Sequence, residues 1–124
     1  LIFNKIDNCK IIGDRDKLIE IFTNLIDNSI KYSDKNKEII ITAKKDGDLI
    51  IISVADQGIG IPKESIHRIT ERFFTVDPSK SRSVGGTGLG LAIVKHLVSQ
   101  HRAEMNINSI ENQGTTIDIK FNSL

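Results

Sequence analysis

A chain of 124 residues, 39% of them hydrophobic and with no low-complexity tract, is long enough to close one globular domain around a single core. Its apolar runs fall far short of the ~20 residues of a membrane-spanning helix, no signal-type leader opens it, and a formal net charge of +1 with dispersed basic residues gives no footprint for nucleic acid. The lone cysteine, Cys9, cannot form an internal disulfide and has no Cys/His cluster around it, so it is expected in packing, in a reducing, cytoplasmic setting without direct membrane contact.

Residues 1–12 read as two short extended segments broken at Asp7-Asn8. Gly13-Asp14 then supplies a turn and an N-cap, after which Leu18, Ile19, Phe22, Leu25, Ile26 and Ile30 recur at helical spacing as one apolar stripe. Asn24, Asn28 and Lys31, four and three residues apart, share one strip at the edge of that stripe, where they could line a cleft. Residues 38–44 and 49–55 are β-rich and joined by Lys45-Asp46-Gly47-Asp48, a hairpin signal. Asp56 ends the second strand with the parity of Ile50, Ile52 and Val54, so strand alternation aims its carboxylate toward the apolar side. Pro62 suits the first turn of a short helix running to about residue 69. The polar stretch from Thr75 to Thr87, rich in Ser, Lys, Arg and Gly, reads as a mobile loop, and residues 89–101 as a helix entered directly from glycines. Two more strands, 105–110 and 116–121, turn at Asn112-Gln113-Gly114. These elements predict an α/β sandwich (α+β), a mixed sheet with the helices packed on one face.

Three places in this order carry chemistry. Asn28 offers an amide oxygen, a suitable ligand for a hard cation such as Mg²⁺, although by itself it reads first as a surface asparagine on an amphipathic helix. Asp56, with Gly58 and Gly60, places a carboxylate at the core side of a strand end, where it needs a donor; the alternative is an Asx turn that merely caps the strand. Gly86-Thr87-Gly88-Leu89-Gly90-Leu91 opens a helix, where free N–H groups and the helix dipole favour phosphate. This last motif is not a dinucleotide fingerprint, because it follows a polar loop instead of a strand and no acidic residue lies about 20 positions on.

Asn24-Leu25-Ile26-Asp27-Asn28, Asp56-Gln57-Gly58-Ile59-Gly60, Glu71-Arg72-Phe73-Phe74 and the Gly86 to Leu91 motif, in that order, resemble the catalytic, ATP-binding (HATPase_c) domain of sensor histidine kinases over nearly the whole chain. The wider superfamily, which includes gyrase, the heat-shock chaperone ATPases and MutL, shares the Bergerat ATP-binding fold. The resemblance implies ATP and Mg²⁺ as ligands, with Asn28 on the metal, Lys31 at phosphate and Tyr32 against the base or ribose. It also implies that Asp56 accepts from the adenine amino group, that Gly58 and Gly60 allow close approach, and that Thr115, ahead of Thr116, stands near the adenine. Phe73 and Phe74 become the hinge of a lid over residues 75–87, with Gly86, Thr87, Gly88, Leu89 and Gly90 at the phosphates.

Two departures bear on mechanism. The ATP-hydrolysing relatives typically carry a glutamate where this chain has Asn24, and an amide cannot take a proton from water, so transfer to an acceptor is expected over hydrolysis. Many members place a basic residue directly after the paired aromatics; here it is Thr75, and either Lys80 or Arg82 supplies the charge or both are solvated surface. None of His67, His96 and His101 has phosphoacceptor context. The expected function is therefore the ATP-dependent protein-histidine kinase half of a two-component phosphorelay. Its partner is a helical dimerisation and phosphoacceptor domain expected to precede Leu1 in a longer parent, with a response regulator acting indirectly; whether that parent is anchored in a membrane stays open. The alternatives are a free-standing anti-sigma-type serine kinase and a non-catalytic nucleotide-dependent interaction module.

Overall fold

The computed structural model describes residues 2–6, 10–33, 37–71 and 90–122. Strand β1 (Ile2–Ile6) precedes helix α1 (Arg15–Lys31), followed by β2 (Ile39–Asp46) and β3 (Leu49–Asp56). A 3₁₀ turn (Lys63–Ser65), helix α2 (Gly90–Gln100), β4 (Glu104–Ile110) and β5 (Gly114–Asn122) complete the order. The five strands form one sheet in the order β1-β2-β3-β5-β4. β1 pairs parallel with β2, as a strand–helix–strand crossover through α1 requires, and the remaining pairs are antiparallel. The sheet is mixed, and both helices pack on the face that carries the core, so the α/β sandwich is the observed architecture.

Local chemistry accounts for most boundaries. Asp14 caps α1 by accepting the Lys17 N–H at 3.1 Å. The β2–β3 hairpin turns through Gly47-Asp48, with Gly47 at φ 60°, the first loop position, where tight hairpins take glycine. Asn112 adopts φ 66° in the β4–β5 turn, a conformation asparagine tolerates better than most residues.

Three expectations are corrected. The second extended segment does not form: residues 10–12 belong to no strand, because the chain leaves the sheet edge there to enter α1; the break at Asp7-Asn8, like Cys9, lies outside the described residues. The helix expected from Pro62 is a 3₁₀ turn followed by further turns, with Ser65 N–H bonded to Pro62 O, Arg68 N–H to Ser65 O and Glu71 N–H to Arg68 O. Bonds of that reach suit Ile66 and Ile69, which lie three apart and turn to the same side, Ile69 being buried. The third correction is to the face of α1. Ile21, Leu25 and Ser29 are buried, whereas Ile19 and Ile30 are 50% and 55% exposed.

The helix is thus rotated by roughly 50° from the face that hydrophobicity alone favours, about half of one residue's step around the axis. Leu18, Phe22 and Ile26 pack against the core in either setting, so local periodicity could not choose between the two. The sheet chooses: Ile21 and Leu25 close on a layer made by Ile39, Ile41, Ile50, Val54, Ile117, Ile119 and Phe121, with Val94, Leu97 and Val98 of α2 beside them. Functionally, this rotation carries the Asn28 strip toward the sheet. Ile21→Ala should therefore cost about 2–5 kcal/mol of stability in urea denaturation, and Ile19→Ala no more than about 0.5 kcal/mol. Equal losses would place the stripe where the sequence pattern put it.

Candidate functional site

The sheet register brings the polar residues of the site into one row. Ile39 faces Asp56 across β2–β3, and Ser109 faces Thr115 across β4–β5. One step beyond the Ala55–Thr116 pair, Asp56 and Thr115 come together between them. The row lies on the core face at the end of the apolar layer, the side that the parity of Asp56 with Ile50 and Val54 predicts. Thr116 points to the other face of β5, so of the two threonines it is Thr115 that stands beside the carboxylate.

Three donors converge on Asp56 among the described residues. Oδ1 accepts the Gly58 N–H at 2.9 Å and the Thr115 N–H at 3.2 Å, and Oδ2 accepts the Ser29 hydroxyl at 3.1 Å. A carboxylate offers about four acceptor sites, so this arrangement leaves one direction on Oδ2 for a further donor. The Asx-turn reading also holds in part, since the bond to Gly58 N–H is such a turn. The bonds from Ser29 and Thr115 go beyond it.

A second polar hub supports Thr115. Ser109 Oγ accepts the Ile61 N–H at 2.8 Å, donates to Gly114 O at 3.0 Å and lies 2.8 Å from Thr115 Oγ1. With the Ser109 proton committed to Gly114 O, the Thr115 hydroxyl donates to Ser109. The residues from Asp56 to Ile61 are held in place by this network, by the Ile59 N–H to Tyr32 O at 3.2 Å and by the Asn112 N–H to Ile59 O at 2.6 Å. Gly58 and Gly60 are needed for that packing. A Cβ on Gly58 would overlap the Tyr32 carbonyl; one on Gly60, which sits at φ 70°, would overlap the Ile110 carbonyl. The close approach seen at both glycines is to the protein's own backbone.

α1 and α2 run antiparallel above this row. The Asp14 N–H donates to His101 Nε2 at 3.1 Å while His101 Nδ1 bonds Leu97 O at 2.8 Å, which ties the start of α1 to the end of α2. At the other end, Gly90 opens α2 against Asn24, whose Oδ1 lies 3.5 Å from where a Gly90 Cβ would stand. Asn24 Nδ2 donates to Glu20 O at 2.9 Å, so this amide is engaged with its own helix. Asn28 is half-buried one turn further on, Lys31 is exposed in the last turn, and Tyr32 caps α1. Tyr32 and Gly58 share the lining of a pocket of about 470 Å³ with Lys37, Gln57, Asn112 and Gln113. Neither Asp56 nor Asn28 lines that pocket, which adjoins the glycine box without containing its carboxylate.

Asn24, Asn28, Lys31, Tyr32, Asp56, Gly58, Gly60, Gly90 and Thr115 thus lie on the α1 strip, the β3 end and loop, the start of α2 and the β5 start. Phe73, Phe74, Lys80, Arg82, Gly86, Thr87, Gly88 and Leu89, with the lid assigned to 75–87, lie outside the described residues. Two polar residues of the site were missed. Ser29 lies four residues after Leu25 and eight after Ile21, a hydroxyl at a buried helical position, and Ser109 has the inward parity of Met105 and Ile107. A polar side chain in an apolar register was the available signal for both.

The family described as histidine kinase-, DNA gyrase B-, and HSP90-like ATPase matches residues 13–123. The chain is 42% identical over 106 residues to the sensor histidine kinase WalK of Bacillus subtilis, a match covering 84% of this chain and 17% of that protein. It is likewise 42% identical over 112 residues to the sensor-like histidine kinase SenX3 of Mycolicibacterium smegmatis, covering 90% of this chain and 29% of that one. Among solved structures, the mycobacterial sensor histidine kinase MprB superposes with a TM-score of 0.84 at 30% identity, over 98% of this chain and 82% of that chain. The full-length ShkA structure in complex with AMPPNP superposes with a TM-score of 0.82 at 27% identity, over 99% of this chain and 26% of that chain. The α/β sandwich is thus the architecture of a recognised class of domain. The chain belongs to the histidine kinase-, DNA gyrase B- and HSP90-like ATPase family. It spans between 17% and 29% of the length of the two curated relatives above.

Proposed function

We propose that this chain binds Mg²⁺–ATP and transfers its γ-phosphate to a histidine on a separate helical dimerisation domain of the same parent, as the catalytic half of a two-component sensor kinase. The observation that carries the reading is Asp56: a charged acceptor at the rim of the core, oriented by three donors, with one Oδ2 direction for a ligand N–H. An exocyclic amine such as that of adenine supplies that donor. The naming of the relatives as sensor histidine kinases supports the reaction class, and the AMPPNP of the ShkA structure supports the ligand class.

The donor set fits magnesium. Among the described residues no group of three or more His, Cys, Asp or Glu could hold a metal ion by itself. Mg²⁺ needs no such cage: it is commonly bound through one or two protein oxygens, with phosphates and waters completing the octahedron. Asn28 would supply the protein oxygen, and the bound ion would neutralise charge on the phosphates. Lys31, at the end of the same helix, adds a point charge for phosphate. The N–H groups and the positive dipole end at the start of α2 favour the same anion. Asn24 offers no base to activate water, so the chain's part is to bind, orient and neutralise, the terms that dominate phosphoryl transfer. In the transfer the bond from the γ-phosphorus to its bridging oxygen breaks, a P–N bond forms at the acceptor imidazole, and ADP leaves.

No helix among the described residues is long and apolar enough to cross a membrane, and a cytoplasmic setting with a response regulator downstream belongs to the same reading. The test uses labelled ATP with the 124-residue chain, alone and with the two-helix histidine segment of its parent. Alone, the chain should neither label itself appreciably nor hydrolyse ATP beyond a slow rate. With the segment, the label should appear on the segment and be acid-labile and base-stable. An acid-stable label on serine would overturn the histidine assignment.

A further inference from the structure

Among the described residues, Ser29 is the one that reaches the base-binding carboxylate from the helix side. It sits 5% exposed on the stripe of Ile21 and Leu25, immediately after Asn28, and its hydroxyl crosses to Asp56 Oδ2 at 3.1 Å. Serine is a poor choice for a buried helical position on propensity and on desolvation, since a hydroxyl taken out of water costs free energy unless it is bonded. The bond it makes is with a charged oxygen, which strengthens it relative to a neutral pair.

The other two donors act differently. Gly58 N–H and Thr115 N–H both hold Oδ1. Because both oxygens turn together about the Cβ–Cγ bond, two bonds to Oδ1 already limit that rotation; what they leave is a pivot of the side chain about Oδ1 through coupled χ1 and χ2 changes, χ2 of aspartate having a broad, soft profile. Ser29 holds the second oxygen against that pivot and takes one of its two acceptor directions. The remaining Oδ2 direction is then defined.

We propose that Ser29 is a positioning residue for base selection: by holding Oδ2 of Asp56 from α1, it aims the remaining Oδ2 lone pair at the adenine amino group. The inference rests on the reading of Asp56 as the adenine acceptor. Its consequence is that Ser29 contributes to ATP binding only through the amino group and not through the rest of the nucleotide. Because Ser29 follows Asn28 directly, the same bond also ties the base acceptor to the turn of α1 that carries the metal-binding amide.

The test is calorimetry on the 124-residue chain and its Ser29→Ala variant with two ligands, ATP and purine riboside triphosphate, which lacks the 6-amino group. Alanine is the best helix former and is smaller than serine, so the variant should fold, and its thermal unfolding confirms this. Wild type should prefer ATP. Ser29→Ala should lose about tenfold in ATP affinity, the scale of one hydrogen bond to a charged group, and keep its affinity for the deamino analogue within about twofold, the ordinary scatter of a variant that touches no ligand contact. Equal loss for both ligands would mean that Ser29 acts through helix packing, and no loss for either would mean that Asp56 needs no support; each overturns the proposal while the adenine reading stands. Equal affinity of wild type for ATP and the analogue would instead remove Asp56 from base recognition and take the proposal with it.

Discussion

GTP should bind this domain roughly 10⁴-fold more weakly than ATP, the discrimination available to a site whose buried polar group would otherwise be left without its partner. Guanine presents a carbonyl where adenine presents an amine, and against Asp56 Oδ2 that puts two acceptors face to face. Asp56→Asn is the informative substitution, because it keeps the shape of the side chain. Its amide oxygen can still accept from Gly58 and Thr115, while the NH₂ group replaces Oδ2 toward Ser29 and the ligand. Serine can accept as well as donate, so the internal network survives with one proton reversed. The ligand-facing polarity also reverses: ATP affinity should fall by on the order of 10²-fold or more, and the preference over GTP should collapse. Calorimetry with both nucleotides reads this directly. ATP binding unchanged in Asp56→Asn would exclude the carboxylate from base recognition.

Asn28→Ala should abolish the magnesium dependence of ATP binding. Removing an outer partner of a metal ligand typically costs 10–100-fold, so loss of the protein oxygen proposed to hold the ion is expected to cost at least about 10²-fold in metal-dependent affinity. Asn24→Ala is the control. Asn24 lies one turn away on the same strip but donates to Glu20 O and packs against the start of α2, so its removal should leave most of the magnesium effect. Titrating ATP into each protein with Mg²⁺ and with EDTA separates the two roles. If Asn28→Ala and wild type respond alike to the metal, the ion is held elsewhere, and if Asn24→Ala is the more affected, the two amides exchange roles.

What was legible in the sequence was what depends on near neighbours. The α1 cap at Asp14, the Gly47 hairpin and the parity of Asp56 all follow from dihedral preferences and from periods of 2 and 3.6 residues, which act over a few positions. Those features were enough to anticipate the sandwich, whereas the family was anticipated from the resemblance of the four motifs in their order. The tertiary structure decided what depends on contacts between distant segments. Leu18, Phe22 and Ile26 suit two rotations of α1, and only the layer of β2, β3 and β5 beneath the helix selects the one that buries Ile21 and Ser29. The same is true of the row from Ile39 through Asp56 and Thr115 to Ser109, which exists because β5 inserts between β3 and β4. Ser29 is 27 residues from Asp56 along the chain, and Thr115 is 59. No local propensity couples positions so far apart; the core does, by setting how the helix and the strands face one another once their apolar sides are packed.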